Sequence, residues 1–508
     1  MSNSNTKPAL PTSVASTVTE PASRALGRLS AAAIINSLLI MVAAGLLRGS
    51  WMPPALRLPA FGPPWQLDLH LSARIVMVTL WVSAVIAGAG VAAGLVAVRR
   101  GQPVPMRTIL TAALLAVAIL VVVPPVGSTD LLDYAIYGHI VVTGHNPYVM
   151  TPGQYQAMFH LHNGVPLDWL RHPSVYGPLA TAEQLMAARL GGASLAAATF
   201  WLKLVNAAAF LGVALIADRI LRADSAARAR AHLLWTANPL LIWSLIAGGH
   251  LDVLAAGVGL VGLLLADRWA ARSPQLVAGV AAGLCVGAAA AIKASYLLFG
   301  LAVAWALRRR PSQLVAAAAG ALAVLVPGYL IAGRHAVAAI ASRASEGSGY
   351  GFYGVFLHHL GLNLKYAEPI AVFLLIPVTW LAVTRLPCEA GERQAVRAAL
   401  ALSMAWLLLW PHQFAWYTVM IICVLVFYPA SRLDWLALGW LTAITVADLP
   451  GLGIGRAAYK ELGPTLNAIQ KQNGEHLAPL VMLVAAIALV VLCINGRWNM
   501  RQEGRLGG

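Results

Sequence analysis

Long apolar runs recur along almost the whole chain, and they restrict the folds that it can adopt. Only 11% of the 508 residues are charged and 59% are hydrophobic, whereas roughly 25% of the residues in a soluble domain are charged. One soluble core cannot bury so much apolar surface. The sequence therefore predicts an all-α fold, a polytopic transmembrane helical bundle of about 12–14 spans of about 20 residues each. The candidate spans lie near residues 26–47, 72–98, 107–126, 195–220, 231–247, 253–268, 275–293, 294–307, 313–332, 369–385, 396–410, 415–430, 434–450 and 477–495.

Basic residues collect at alternate ends of these runs. Because Lys and Arg concentrate in cytoplasmic loops, this bias predicts that the N-terminus and the C-terminus are both cytoplasmic. Two long polar loops, residues 127–194 and 333–368, then face the outside, and the first is expected to hold short interfacial helices. The predicted inside loops carry Arg99, Arg219, Arg222, Arg230, Arg308, Arg393, Arg397 and Arg432, among others.

A single domain accounts for most of the chain. Residues 1–24 are rich in Ser, Thr and Pro and are predicted to be disordered and cytoplasmic. Residues 25–496 form the transmembrane domain, and residues 497–508 form a basic cytoplasmic tail. The net charge of +16 fits membrane orientation and contact with anionic lipids. No basic patch is interleaved with aromatic residues, so nucleic acid is not an expected partner.

The first polar constellation opens the loop 127–194. Asp130 and Asp133 are three residues apart, so both can face one side of a helix. Two interpretations of Asp130 remain open. It follows Pro125 and Gly127, where a helix N-cap is expected. Alternatively, it is a partly desolvated general base that takes a proton from a sugar hydroxyl.

Two further constellations combine turns with groups that bind anions or sugars. Arg171 and His172 stand in a Pro- and Gly-rich segment, where they either belong to a turn or meet an anionic leaving group. His250 and Asp252 follow two glycines at the end of a span. These two predict a binding site more than a simple turn and cap, although two ligands are too few for a metal site.

Charged and aromatic residues near the membrane give the remaining candidates. Lys203 and Lys293 lie within or near the ends of apolar runs, so their side chains either snorkel to the surface or bind an anion such as a lipid-linked phosphate. His412 stands between Trp410 and Trp416. These rings belong to the interfacial aromatic belt or stack on a sugar.

Taken in order, these segments resemble the bacterial, and in particular actinobacterial, polyprenol-phosphomannose-dependent α-(1→6)-mannosyltransferases, which are members of the GT-C superfamily of glycosyltransferases. The resemblance covers residues 100–430 and depends on the ordered set of motifs, not on any single one. Leu251 departs from the family pattern, which commonly has Asn there, and Asp133 stands where the family often has a non-acidic residue. The matching residues are Ser128-x-Asp130 with Tyr134 and Gly138, Asn146-Pro147-Tyr148, Tyr176-Gly177-Pro178, Asn238-Pro239-Leu240, Gly249-His250-x-Asp252 and Ile292-Lys293-Ala294.

The resemblance implies a glycosyltransferase of the bacterial plasma membrane with an extracytoplasmic active site. Such enzymes take a sugar, here expected to be mannose, from a polyprenyl phosphate and add it with inversion to a cell-envelope glycan or lipoglycan. By analogy with the superfamily, Asp130 is the general base. The residues expected to bind the substrates are Asp133, Tyr134, Tyr148, Arg171, His172, Tyr176, His250, Asp252, Lys293 and His412.

Several alternatives stay open at this point. No cofactor is expected, although a divalent metal is possible if Asp130, Asp133 and Asp252 converge. The main alternative function is a transporter or flippase of lipid-linked sugars, and another is a non-catalytic partner in an envelope complex. The enzyme hypothesis requires Asp130 to share one pocket with His250 and Asp252.

Overall fold

The computed structural model describes residues 20–46, 58–69, 71–159, 169–270, 276–344, 352–363, 366–387, 393–411, 413–449 and 456–496. Helices make up most of these ranges, residues 58–69 form an irregular segment between the first two helices, and the described residues contain no β-strand. The first helix begins at Glu20, within the predicted N-terminal segment 1–24. The rest of that segment, and the predicted tail 497–508, lie outside the described residues.

Ser side chains cap two of the long helices in the first half of the chain. Ser72 accepts a hydrogen bond from Ile75 N and Ser194 accepts one from Ala197 N, which satisfies amides that a helix start leaves without a partner. In chain order the helices are α1 (Glu20–Leu46), α2 (Ala73–Arg99), α3 (Met106–Val122), α4 (Asp130–Val142), α5 (Pro152–Met158), α6 (Pro178–Gly191), α7 (Leu195–Ile220), α8 (Ser225–Leu234) and α9 (Pro239–Ile242).

The second half of the chain has the same all-helical character. Short 3₁₀ turns at Ala294–Tyr296 and Ala415–Thr418 lead directly into helices. The helices are α10 (Asp252–Ala270), α11 (Leu276–Ile292), α12 (Leu297–Leu307), α13 (Pro311–Ala332), α14 (Arg334–Ala344), α15 (Phe352–His359), α16 (Ala367–Arg385), α17 (Gln394–Leu409), α18 (Val419–Leu425), α19 (Leu433–Asp448), α20 (Arg456–Gln472) and α21 (Ala478–Asn495).

The chain is a multi-pass membrane protein. Six helices are long enough to cross a bilayer, and five other apolar helices in the described residues have only 10–17 residues. At 1.5 Å per residue these five are shorter than the hydrocarbon core of about 30 Å. Each predicted span does contain helix, but the predicted number is reached only when these shorter helices are counted. Six helices are long and apolar enough to cross a bilayer: Ala25–Leu46, Ala73–Arg99, Leu195–Ile220, Pro311–Ala332, Ala367–Arg385 and Leu462–Asn495.

One further pair of apolar helices is sharply bent. The segments Pro239–Ala247 and Asp252–Asp267 are together long and apolar enough to cross a bilayer, but they are bent by 111° relative to each other. Asn238 accepts a hydrogen bond from Leu240 N, and the turn Trp243–Ala247 has π-helical hydrogen bonds. The bend places residues 248–251, including His250, inside the protein and not at the end of a straight helix.

The loop 127–194 contains short helices, as predicted, but its first helix is not a surface element. Residues 130–140 of α4 are all buried, and α4 packs against α6 and α7. Leu131, Ile136 and Ile140 are 0% exposed, so burial of apolar side chains accounts for this position. The helix that begins with Asp130 therefore lies within the bundle.

Candidate active site

Asp130 occupies the first position of α4. The preceding residue, Thr129, is the N-cap and makes no side-chain cap hydrogen bond. The Asp130 amide instead donates to Ser128 Oγ at 3.2 Å. Asp130 is 3% exposed, so its carboxyl group lies inside the protein. The interpretation of Asp130 as a simple N-cap is therefore wrong.

Lys203 anchors the segment that leads into this helix. Its Nζ donates to the backbone oxygens of Val123, at 2.9 Å, and Pro124, at 3.3 Å. Lys203 is 0% exposed and lies within the span α7. Neither interpretation from the sequence, snorkelling or phosphate binding, describes these contacts, in which the ammonium group holds two carbonyls of the chain that runs from α3 to Asp130.

His250 lies beside Asp130 although the two are distant in sequence. His250 Nδ1 is 3.6 Å from Asp130 Oδ2, and the imidazole stacks on Trp416 with ring centroids 3.7 Å apart and planes 8° apart. Gly249 has a φ of +75°, and a Cβ there would meet Leu131 at 2.6 Å. Only glycine fits that combination of backbone angle and close approach.

An ion pair forms the next part of the group. Lys293 Nζ lies 2.6 Å from Asp252 Oδ1 and 3.9 Å from the centroid of the Tyr417 ring. Tyr296 donates from its hydroxyl to the backbone oxygen of Asp252 at 2.9 Å. The Lys293 side chain is 14% exposed and that of Asp252 is 1% exposed. The ammonium group is thus held by a carboxylate and an aromatic face.

Tyr134 and Tyr176 lie close enough to Asp130 and Asp252 to interact with the charge of both. Their hydroxyls are 3.0 Å apart, and their rings meet edge to face at 4.9 Å. Burial raises the pKa of both hydroxyls well above the usual value, and the negative charges of Asp130 and Asp252 raise it further. Both phenols are therefore neutral hydrogen-bond donors near two carboxylates. Gly177 permits the approach, since a Cβ there would collide with the Ala291 carbonyl.

Asp133 is a second buried acid on α4. It is 2% exposed, and neither carboxyl oxygen has a hydrogen-bond partner in the described residues. Burial raises the pKa of Asp133 well above its usual range, and the charge of Asp130 raises it further. Burial thus favours the protonated form of Asp133, and a protonated carboxyl group can donate a hydrogen bond.

The remaining predicted residues have other contacts than the Asp130, His250, Asp252 and Lys293 side chains. Tyr148 forms a hydrogen bond of 2.7 Å with Thr181 Oγ1 on α6. Burial is the main reason that the pKa of Tyr148 is raised to about 12. Arg171 is exposed and His172 is half-buried, and the backbone oxygen of His172 accepts a hydrogen bond from the Tyr137 hydroxyl. His412 lies outside the described residues.

Three residues of the group were not among the predicted binding residues. Trp416 and Tyr417 were visible in the sequence as aromatic residues beside His412. Asp448 ends α19, and its buried Oδ1 has no hydrogen-bond partner in the described part of the chain. It lines a small cavity together with Ser128, His250 and Trp416. An acid at the end of an apolar run was the available signal for Asp448.

Metal binding has little structural support in this group. Among the described residues, no three or more His, Cys, Asp or Glu side chains are placed to hold a metal ion. Asp252 is engaged by Lys293. The predicted convergence of Asp130, Asp133 and Asp252 on one ion is therefore not found in that part of the chain.

Comparisons with known proteins agree with the resemblance seen in the sequence. Residues 31–309 match the family described as "Alpha-(1->6)-mannopyranosyltransferase, N-terminal domain". An alpha-(1->6)-mannopyranosyltransferase of Mycobacterium tuberculosis is 33% identical over 153 residues, which cover 29% of this chain and 25% of that protein. Alpha-(1->6)-mannopyranosyltransferase B of Corynebacterium glutamicum is 22% identical over 428 residues, which cover 77% of this chain and 67% of that protein.

Among solved structures, the crystal structure of ArnT from Cupriavidus metallidurans bound to undecaprenyl phosphate aligns with a TM-score of 0.39 and 17% sequence identity. The alignment covers 77% of this chain and 78% of that chain. A similarity of this size carries no conclusion about the site. The family match, in contrast, extends over more than half of the chain.

Proposed function

Since the chain belongs to the alpha-(1->6)-mannopyranosyltransferase family, we propose that it transfers mannose from a polyprenyl-phosphate donor to a glycan or lipoglycan acceptor of the cell envelope. The observation that carries this proposal is the distance of 3.6 Å between Asp130 Oδ2 and His250 Nδ1. Two segments that are remote in sequence meet there, beside the ion pair of Asp252 and Lys293. In the orientation predicted by the basic loops, this group faces the extracytoplasmic side.

Asp130 is the general base of this proposal. In its carboxylate form it accepts the proton of the acceptor hydroxyl as that oxygen attacks the anomeric carbon of the donor. His250, stacked on Trp416, fixes one side of the Asp130 carboxylate. The flat faces of Trp416 and the neighbouring rings suit the apolar face of a sugar.

Lys293 stabilises the leaving phosphate. An ammonium group has three donors, and the ion pair with Asp252 uses one of them. A positive charge placed beforehand where a negative charge develops lowers the barrier, because it needs no reorganisation during the reaction. Arg171 and His172 are the further cations proposed for the phosphate, and they would reach it from the outer loop.

The reaction is a single displacement with inversion. A bond forms between the acceptor oxygen and the anomeric carbon, the bond from that carbon to the phosphate oxygen breaks, and the polyprenyl phosphate leaves with the electron pair. One base is sufficient for this path, whereas a covalent glycosyl-enzyme intermediate also needs a nucleophile. Asp133 is not required as a second base, and burial, which raises the pKa of its carboxyl group well above the usual range, disfavours the charged form that a base needs.

The test is a transfer assay with purified protein, polyprenyl-phosphate mannose and a mannoside acceptor. We expect release of polyprenyl phosphate and an α-linked product. Asp130→Asn should reduce turnover by about 10²–10⁴-fold, the usual contribution of general base catalysis, while the protein still inserts and folds. Asp68→Asn makes the same chemical change at an exposed position and should leave turnover unchanged.

Three outcomes would count against parts of the proposal. Near-normal turnover of Asp130→Asn removes this residue from the role of base. Movement of the donor across vesicle membranes without any product identifies a flippase instead. Loss of transfer after exhaustive chelation, restored by a divalent cation, contradicts the expectation from the sequence that no cofactor is needed.

A further inference from the structure

A second cavity, with a volume of about 900 Å³, lies at the end of the bundle opposite Asp130. It is lined by the last turn of α2, the connection from α7 to α8, the start of α17 and the residues that follow α18. Helix α18 and its preceding turn, Ala415–Leu425, separate the two regions. Trp416 at one end of this segment stacks on His250, and Phe427 just beyond the other end lines the cavity. At 1.5 Å per residue the two aromatic residues are about 16 Å apart.

Four arginines line this space, which we call the arginine cavity: Arg99, Arg230, Arg393 and Arg397. They come from three predicted inside loops, since Arg393 and Arg397 share one, so the fold brings together charges that the sequence shows only as scattered orientation signals. Among the described residues, the one carboxylate in the lining is Asp224, and its Oδ1 accepts hydrogen bonds from the amides of Ala226 and Ala227 in the first turn of α8.

Two other aspartates lie just behind the lining, and both are fully engaged. Asp434 is bound by Arg230 and Arg99. Asp267 accepts hydrogen bonds from the amides of Ala395 and Val396 with its two oxygens. The guanidinium groups therefore outnumber the carboxylates around the cavity in the described part of the chain, and the carboxylates already have donors.

Arg397 and Arg393 show that the lining is not fully satisfied by the protein itself. Arg397 is 8% exposed, and its Nε has no hydrogen-bond partner among the described residues. Arg393 has a φ of +39°, and it is the one non-glycine residue with positive φ in the described residues. A backbone held in this region costs free energy, and such residues occur preferentially at ligand clamps. The Arg393 guanidinium also donates to the Phe427 carbonyl.

We propose that the arginine cavity binds the phosphate headgroup of an anionic phospholipid. The required chemistry is a phosphate ester, because planar guanidinium groups match phosphate oxygens with paired hydrogen bonds. Leu95, Val98, Leu221 and Val426 also line the cavity, and they suit the apolar part of a lipid better than a free hydrated ion. In the predicted orientation the cavity opens toward the leaflet that carries the anionic lipids.

The test measures lipid binding to the purified full-length chain in detergent by native mass spectrometry. The probes are phosphatidylglycerol, phosphatidylcholine and inorganic phosphate. We expect one phosphatidylglycerol to be retained in preference to phosphatidylcholine, with little displacement by inorganic phosphate at the same concentration. Arg393→Asn removes the charge but tolerates the left-handed backbone. It should weaken phosphatidylglycerol binding by roughly tenfold, as expected for one lost charged hydrogen bond.

Arg222→Gln is the matched control, because it removes an arginine from the same end of the bundle at an exposed position outside the lining. Its affinity for phosphatidylglycerol should equal that of the unaltered chain. Equal retention of the two lipids, or an equal loss in both variants, overturns the proposal. If inorganic phosphate binds as tightly as the lipid and displaces it, the ligand is the free ion and the lipid assignment is wrong.

A second measurement uses the unaltered chain and does not depend on the folding of a variant. Phosphatidylglycerol with a photoreactive group next to its headgroup should label peptides that span residues 220–230 or 426–431, the two segments that supply most of the lining residues. Labelling confined to other helices overturns the site. Transfer of mannose is not part of either readout, so these results are independent of the proposed enzymatic activity.

Discussion

Asp434 and Asp133 are both buried aspartates, but the protein surrounds them in opposite ways. Asp434, beside the arginine cavity, is 0% exposed. Arg230 binds its oxygens at 2.5 and 2.7 Å, and Arg99 adds a contact at 3.4 Å. Asp133, near Asp130, is 2% exposed and has no hydrogen-bond partner for either oxygen in the described residues.

The same contrast extends to the neighbours of each residue. Beside Asp130, Asp252 Oδ2 and Asp448 Oδ1 are buried and have no hydrogen-bond partner within the described ranges. Beside Asp434, both oxygens of Asp267 accept backbone amides. A buried polar group without a partner costs free energy, so its persistence near Asp130 is expected where a substrate hydroxyl completes the hydrogen bonds. Saturated carboxylates are expected where the role is structural.

The largest expected effect on stability is at Asp434. Asp434→Asn leaves the buried Arg230 charge without its counterion, and removal of one partner of a buried ion pair costs about 3–5 kcal/mol. We expect this loss in the free energy of unfolding, measured by denaturant titration in micelles. Turnover per folded molecule should be nearly unchanged, because Asp434 does not contact the Asp130 group.

Asp133→Asn is the matched comparison for Asp434→Asn. It replaces an acid whose burial raises its pKa and favours the neutral form, and neither carboxyl oxygen has a hydrogen-bond partner in the described residues, so the stability should change much less. If the two variants lose the same stability, the contrast between saturated and unsaturated carboxylates has no energetic meaning.

Lys203 sharpens the comparison, because its ammonium group is hydrogen-bonded by the protein but holds the segment that leads to Asp130. Lys203→Met keeps an apolar stem of similar length but removes the donor to the Val123 and Pro124 carbonyls. Leaving buried carbonyls without a donor costs about 1–3 kcal/mol. The turnover number should also fall, because the segment leading to Asp130 loses its anchor. Unchanged turnover in the folded variant would show that this anchor does not position Asp130.

The sequence predicted the helices better than their depth in the protein. Apolar runs located each span, because the length of a span is a local property. The position of α4 was missed, because the loop 127–194 was interpreted from its polar residues. The apolar residues Leu131, Ile136 and Ile140 already indicated a helix with a buried face.

The contacts of the site could be predicted only where a family pattern connected distant segments. The resemblance linked Asp130 to His250, and the structure places them 3.6 Å apart. Nothing in the local sequence indicates which carbonyls Lys203 would reach, since its partners are set by the packing of α7 beside the end of α3. The arginine cavity was hidden for the same reason, because each arginine by itself is an ordinary signal of cytoplasmic orientation.

The comparison extends to pH dependence through Glu183, a buried acid on α6, which packs against α4. Glu183 is 8% exposed, and its oxygens have no hydrogen-bond partner among the described residues. Burial raises the pKa of Glu183 from 4.5 to about 8. As the pH rises above 4.5, the unfolded chain loses this proton before the native chain does. The unfolded state therefore gains stability, and the free energy of unfolding falls by up to about 1.4 kcal/mol per pH unit until the pH reaches the pKa of the folded state.

Glu183→Gln stays neutral, so its stability should fall less between pH 5 and pH 8, as followed by Tm in detergent. Glu475→Gln, at an exposed residue, should keep the pH dependence of the unaltered chain. An identical pH dependence in Glu183→Gln would mean that Glu183 ionises as it does in the unfolded chain, and the contrast between the two ends would not extend to α6.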